Sequence, residues 1–363
     1  MSVFFFIAGL VLLVFGAELL VRGASKLSLS LGVKPLVVGL TVVAFGTSAP
    51  EMAVSVQGAF SGQSDIAMGN VVGSNIFNIL FILGLAALIT PLLVDQQLIR
   101  QEVPIMIGVS LLLAGMALDG SISRIEGGLL FGLLVAYTVF IYWQGKRQQS
   151  AQIEQEFAEG IGTAESAERG WDGHWVAQVA LIVVGLVLLV IGARWLVGAA
   201  IAFAQILGVS EVVIGLTIVA AGTSMPEVAT SIMASIRGQR DIAVGNVIGS
   251  NIFNILGVLG VTALVAPAGV GVAPSLISFD LPVMLAVAVA CLPIFFTGNL
   301  LARWEGGVFF AMYVAYTTYL ILYTQQHDSL DTYSLVMQTA VLPAIALTLA
   351  IFAWREWRGT RRH

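Results

Sequence analysis

Charged and turn-forming residues divide this chain into apolar runs, and the spacing of those runs predicts its elements. Runs of membrane-spanning length, about 17–25 residues, fall at residues 3–21, 33–60, 65–89, 103–118 and 125–143. A polar, acidic stretch at 144–173 follows, without hydrophobic periodicity, and reads as a linker with room for at most a short helix. Five more apolar runs come at 175–197, 209–236, 241–265, 279–296 and 304–323. After a polar stretch at 324–333, an eleventh run at 335–354 leads into the basic tail REWRGTRRH. The pattern predicts an all-α polytopic membrane protein.

The two sets of five runs are copies of each other. From Gly39 the chain reads GLTVVAFGTSAPEMAVSVQGAFSGQSDIAMGNVVGSNIFNIL, and from Gly215 it reads GLTIVAAGTSMPEVATSIMASIRGQRDIAVGNVIGSNIFNIL. Over 50 positions from these starts about 32 are identical without a gap, which marks an internal repeat. The fifth and tenth runs also match, through RIEGG and RWEGG and through a shared VAYT. Five is odd, so the second copy enters the membrane upside down, the inverted-repeat plan of many secondary transporters. The expected organisation is a five-helix repeat at 1–143, a linker at 144–173, an inverted repeat at 174–323, and an additional helix with a basic tail at 324–363. The first run has no basic leader or clear cleavage site and is expected to be retained as a helix.

Composition agrees with a membrane protein: 58% of residues are hydrophobic and 10% charged, against about 25% charged in soluble domains. The net charge of −5 gives no reason to expect a nucleic-acid partner. With the N-terminus outside, only Arg124 and Arg194 of the 16 Lys and Arg face outward, the imbalance that the positive-inside rule requires. The expected location is the cell (inner) membrane, with the C-terminus in the cytoplasm. One cysteine, Cys291, excludes an internal disulfide, and the three histidines lie in polar loops or at the terminus. No GxxxxGK[ST] loop is present to drive an ATP-dependent pump.

The candidate chemistry emerges by elimination. Of the 21 acidic residues, most lie in the linker, loops or tail. Asp65, Glu102, Glu126, Glu211, Asp241, Asp280 and Glu305 stand near expected helix starts, where capping and the helix dipole account for a carboxylate. Glu18 lies four residues before Arg22, a helical ion-pair spacing. Glu51 and Glu227 remain, each directly after a proline deep in an apolar run, where an ionisable residue marks function. Pro50 removes an amide and loosens the preceding turn, which is expected to free the Ala44 carbonyl, beside Thr47 and Ser48. Ala220, Thr223 and Ser224 repeat the arrangement around Glu227. Gly69 and Gly73 allow close helix approach, and Ser74 and Asn78 share a helix face. Their counterparts are Gly245, Gly249, Ser250 and Asn254. Two carboxylates among hydroxyl, amide and carbonyl oxygens suit a hard cation, and a flexible set of 6 to 8 oxygens suits Ca²⁺ better than Mg²⁺. One Ca²⁺ or two Na⁺ balance the same two charges, so the ions compete.

At GTSAPE with GNVVGSNIFN, and at GTSMPE with GNVIGSNIFN, the sequence resembles the cation/calcium exchanger superfamily, within it the prokaryotic sodium/calcium exchanger branch. The resemblance covers the ten duplicated spans. It implies ten core helices, a site between the second, third, seventh and eighth, and sliding of the first and sixth against that core. It further implies Ala44, Thr47, Ser48, Glu51, Ser74, Asn78, Ala220, Thr223, Ser224, Glu227, Ser250 and Asn254 as ion ligands. The expected activity is antiport of Ca²⁺ against Na⁺, with inorganic cations as substrates, the lipid bilayer as surroundings and no cofactor. H⁺ is the alternative coupling ion, although GSNIFN lacks the glutamate that proton-coupled relatives usually carry there. A passive cation channel is a further alternative. An intramembrane hydrolase is disfavoured, because no histidine or aspartate pair accompanies the serines. Two departures stand out: Asn254 where several family members have aspartate, and the unmatched eleventh span. The linker is also too short for the calcium-sensing domains of the larger animal exchangers.

Overall fold

The computed structural model describes residues 2–61, 64–158, 174–207, 218, 220–296, 298–345, 347–348 and 351. Among the described residues, eight helices are long and apolar enough to cross a membrane, or nine if one bent pair counts as a span. The first helix, α1 (Ser2–Leu31), continues past its charged residues as a single rod. Gly32 ends it at φ +62°, and the Val33 amide folds back to Ser28 O at 2.9 Å, a glycine stop that only a residue tolerating positive φ provides cheaply. Pro35 then opens the next helix at a position where its missing amide is harmless.

That next span is the bent one. Its halves, α2 (Pro35–Thr47) and α3 (Ala49–Phe60), meet at 42°. There follow α4 (Ile66–Ile89), α5 (Leu98–Asp119), α6 (Arg124–Ala158) and α7 (Trp175–Ile206). The seventh expected span, 209–236, lies partly outside the described residues. Its described parts are α8 (Ala220–Gly222) and α9 (Met225–Ile236). The second half closes with α10 (Arg240–Val265), α11 (Leu276–Phe296) and α12 (Arg303–Thr324). The eleventh run begins as α13 (Leu330–Val336) and continues helically through Met337–Val341. Its end at 352–354 and the basic tail lie outside the described residues, as does linker 159–173. Helix α6 runs on into the polar stretch expected to serve as the linker, as far as Ala158.

Burial sorts these helices into layers. The central windows of α10 and α4 are 89% and 72% buried, against 28% for α1 and 11% for α12. The two GN-motif helices therefore form the centre, and the long apolar rods surround them. α1 lies antiparallel along α7, and a ladder of small residues sets their separation. A Cβ on Gly9 would stand 2.8 Å from Gly192 O, and one on Gly16 would stand 2.8 Å from Gly185 O. Such close backbone approach is the usual means of helix association in lipid. Two short antiparallel clips tie the halves together. Beta strand β1 (Leu92–Leu93) pairs with β4 (Leu300–Leu301), and β2 (Ser121–Ile122) pairs with β3 (Val270–Gly271).

One expectation about charge is corrected here. Glu126 and Glu305 do cap helices: Glu126 Oε2 accepts from the Ser123 amide at 2.8 Å, and Glu305 Oε2 from the Ala302 amide at 2.8 Å. Glu102 and Asp280 do not, because α5 and α11 begin several residues earlier, at Leu98 and Leu276. Glu102 is fully buried inside α5. Glu18, four residues before Arg22, also reaches Arg237 Nε beyond α9 at 2.8 Å. The side chain of Asp65 and the whole of Glu211 lie outside the described residues.

Candidate functional site: a doubled constellation of buried oxygens

The helix breaks position both glutamates. Ser48 adopts φ −81°, ψ 6° and Ser224 adopts φ −88°, ψ 10°, the sparsely populated bridge region between helix and strand. Each serine ends one half-helix and precedes another that starts Ala49-Pro50-Glu51 or Met225-Pro226-Glu227. The glutamates thus lie in a first helical turn, next to amides left over from the break. The carbonyl deprived of its partner by Pro50 is that of Gly46, one turn back. The expected release of Ala44 is not what the structure shows: its carbonyl accepts the Ser48 amide at 3.1 Å. Thr47 Oγ1 also lies within reach of that oxygen, at 3.4 Å. Ala220 lies in α8, and its side chain is outside the described set.

The two copies serve each other. Ser224 Oγ donates to Glu51 Oε1 at 2.8 Å, and Ser48 Oγ donates to Glu227 Oε1 at 3.4 Å. Thr47 Oγ1 donates to Asn246 Oδ1 at 3.2 Å, and Thr223 Oγ1 donates to Asn70 Oδ1 at 3.4 Å. Those asparagines in turn donate to Ser231 and Ser55, both at 3.0 Å. Ser74 Oγ lies 3.2 Å from Ser224 Oγ, which can accept its hydrogen, and so joins the α4 wall to the broken helices. Asn78 Nδ2 donates to Asn251 Oδ1 at 3.0 Å, and Asn254 Nδ2 donates to Asn75 Oδ1 at 3.1 Å. Nearly every bond in one half recurs in the other with the partners exchanged.

What this network leaves open defines its chemistry. Glu51 and Glu227 are 0% and 1% exposed. Oε2 of both glutamates, Oδ1 of Asn78 and of Asn254, and Oγ of Ser250 are buried without a hydrogen-bond partner among the described residues. A buried polar atom left unmet costs about 1–3 kcal/mol, and five in one constellation are not explained by packing. Oxygens of this kind, hard and without any thiol or imidazole among them, suit a hard cation. Only two carboxylates are present, with neutral oxygens completing the set. Such a set can hold a cation while letting it leave, since charge count tunes affinity.

Among the expected ligands, Thr47, Ser48, Glu51, Ser74, Asn78, Thr223, Ser224, Glu227 and Asn254 each take part in at least one of these bonds, in several separate groups. Ser250 is buried in α10 beside them in sequence but makes none of the bonds described. Sequence reasoning missed Asn70, Asn75, Asn246 and Asn251, which hydrogen-bond to expected ligands, and Ser55 and Ser231 behind them. The available signal was the doubling of GN and SN themselves within the motif. Gly249 performs as expected, since a Cβ there would stand 2.7 Å from Leu40 O. Gly69 and Gly73 do not: no described atom lies within 4 Å of where their Cβ would be. They line a cavity instead.

Comparison with known proteins gives this arrangement a family. The model of the family described as sodium/calcium exchanger protein matches residues 1–143 and 177–322. The putative antiporter CaxA of Alkalimonas amylolytica is 40% identical over 289 residues, 79% of this chain and 88% of that protein. The sodium/calcium exchanger MaX1 of Methanosarcina acetivorans is 35% identical over 338 residues, 86% of this chain and 96% of its own length. The inner membrane protein YrbG of Escherichia coli is 40% identical over 283 residues, covering 78% and 85%. Among solved structures, the sodium-calcium exchanger NCX_Mj superposes with a TM-score of 0.72 at 30% identity, covering 86% of this chain and 96% of that one. The chain belongs to the sodium/calcium exchanger family, as a multi-pass membrane protein that exchanges cations and not an enzyme.

Proposed function

We propose that the protein exchanges Ca²⁺ for Na⁺ by alternating access around Glu51 and Glu227. The observation that carries this reading is the pair of buried glutamates, each bonded to a serine of the other copy and each keeping one oxygen without a donor. Two carboxylates neutralise one Ca²⁺ or two Na⁺. Emptied of cations the site would hold two uncompensated charges at membrane depth, a costly state to carry across. The ligands are Thr47, Ser48, Glu51, Ser74 and Asn78, their counterparts Thr223, Ser224, Glu227, Ser250 and Asn254, and the carbonyls of Ala44 and Ala220. The frame is two inverted repeats, 1–143 and 174–323, joined by linker 144–173, with the N-terminus outside and 324–363 as an appended helix and cytoplasmic tail.

Sodium is the coupling ion in this reading because, among the described residues, the hydrogen-bonded constellation contains no ionisable side chain beyond the two glutamates. The test is ⁴⁵Ca²⁺ uptake into proteoliposomes under an imposed Na⁺ gradient and, separately, an imposed pH gradient. Uptake driven by internal Na⁺ is expected. Uptake driven by the pH gradient alone would assign the protein to proton coupling. Glu51→Gln and Glu227→Gln are each expected to abolish uptake while membrane insertion persists, and substantial uptake by both would exclude the two-glutamate site.

A further inference from the structure

Outside the ion constellation, the repeat places a second pair of carboxylates. EVPIM at 102–106 and DLPVM at 280–284 occupy equivalent places, each carboxylate closing a widened helical turn, Leu98–Glu102 or Leu276–Asp280. Each has a tyrosine from the duplicated VAYT. Tyr137 Oη donates to Glu102 Oε2 at 2.8 Å, and Tyr316 Oη donates to Asp280 Oδ1 at 2.6 Å. These two chemically matched pairs stand near opposite ends of the bundle, and their surroundings differ.

Glu102 is sealed. Gln97 Nε2 and Gln101 Nε2 donate to its Oε1 at 3.0 and 2.8 Å, and the residue is 0% exposed. Asp280 instead lines a cavity of about 480 Å³, together with Tyr316, Thr317 and Leu320. The same cavity reaches Asn70, Ser74 and Thr223, which belong to the ion constellation. A carboxylate therefore stands on the wall of a passage that ends at the ligands. Phe279 stacks on Tyr319 at 4.2 Å between ring centroids, and nearly parallel to Tyr316, so the donor that orients Asp280 is itself held.

We propose that Asp280 is a staging site for the transported cation on the outer access path, and that Glu102 does the same on the inner path when that end opens. This rests on the exchange reading above and on its orientation, which puts Ile66, Leu276 and Leu320 at the outer end. A single carboxylate in a low-dielectric cleft raises local cation concentration and on-rate by about tenfold, the lower end of the range for charged clefts. Its neutral-ligand mate across the cavity, Thr223, hands the ion toward Glu51 and Glu227.

The test is sided kinetics in right-side-out and inside-out membrane vesicles, with ⁴⁵Ca²⁺ as probe. Asp280→Asn is expected to raise the apparent KM for Ca²⁺ about tenfold at the outer face and to leave the inner face within about twofold of wild type. Glu102→Gln is expected to do the reverse. Equal changes at both faces, or none at the outer face, would overturn the proposal. If wild-type vesicles show no Na⁺-driven flux, the exchange reading fails first, and the two failures are thereby distinct. An arm that needs no charge removal uses Thr317→Cys and measures modification by cationic and anionic methanethiosulfonates. Faster reaction with the cation, by about tenfold, supports an anionic passage, and equal rates overturn it.

Discussion

At the scale of single residues, the site separates side chains whose polar groups are paired from those whose buried oxygens stay unpartnered. Asn251 belongs to the first kind: its amide accepts from Asn78 and donates to the Asn75 carbonyl at 3.4 Å and to Met106 Sδ at 3.5 Å. Asn251→Ala is expected to destabilise the protein by at least about 1–3 kcal/mol, because buried partners are stranded, and thermal unfolding in detergent without added cations would read the loss. Ser250 belongs to the second kind, its hydroxyl buried and unpartnered. Ser250→Ala is expected to leave that melting temperature nearly unchanged but to diminish the rise on adding Ca²⁺, since only the native state binds the ion. The glutamates were legible in the sequence because a carboxylate after proline in an apolar run has no bland explanation. The asparagines that orient their neighbours were not, since a single amide in a membrane helix looks the same whether it binds a ligand or another amide. Glu102 was misjudged for a related reason. Its neighbours Arg100 and Gln101 look like a helix boundary, and only the packing of Tyr137 from a distant span shows the carboxylate to be interior.

At the scale of helices, the duplication and the spans could be read from hydrophobic runs, but the lengths could not. α1 and α6 run well beyond their apolar segments because a helix needs a stop signal, and Gly32 supplies one to α1 that charge does not. The pairing of α1 with α7 is the element-level feature most open to test. A Cβ on Gly185 would stand 2.7 Å from the Leu20 amide nitrogen, backbone that cannot turn aside. Gly185→Val is expected to cost about 1–3 kcal/mol by overpacking and to slow exchange by prising the pair apart. Gly198→Ala on the same helix meets no described atom within 4 Å and is the matched control, expected to be neutral or slightly stabilising. Melting temperatures and ⁴⁵Ca²⁺ flux of the two variants distinguish a packing requirement from a general dislike of larger residues. The helix breaks at Ser48 and Ser224 are anticipated by Pro50 and Pro226. The widened turns opening at Asn78 and Asn254 leave no such mark in the residue pattern.

At the scale of the molecule, the appended helix stands apart from the exchange apparatus. Tyr333 Oη donates to the Ala315 carbonyl at 2.9 Å, and α13 faces α11 and α12 across an apolar cavity of about 570 Å³, away from the glutamates. Ending the chain before Leu330 is expected to preserve Na⁺-driven uptake in a protein that still inserts, with vesicle flux per inserted molecule as the measure. The strand clips carry a different consequence. Leu92 and Leu93 belong to one half and Leu300 and Leu301 to the other, as do Ser121 and Ile122 against Gly271 and Val270. The halves are therefore stitched at two separate places, and each glutamate completes its bonding only through the opposite copy's serine. Neither half is a finished object. A gene cut between Ala158 and Trp175 would yield two polypeptides that recognise each other, and the ancestor of this chain can be pictured as one short polypeptide meeting its own inverted twin.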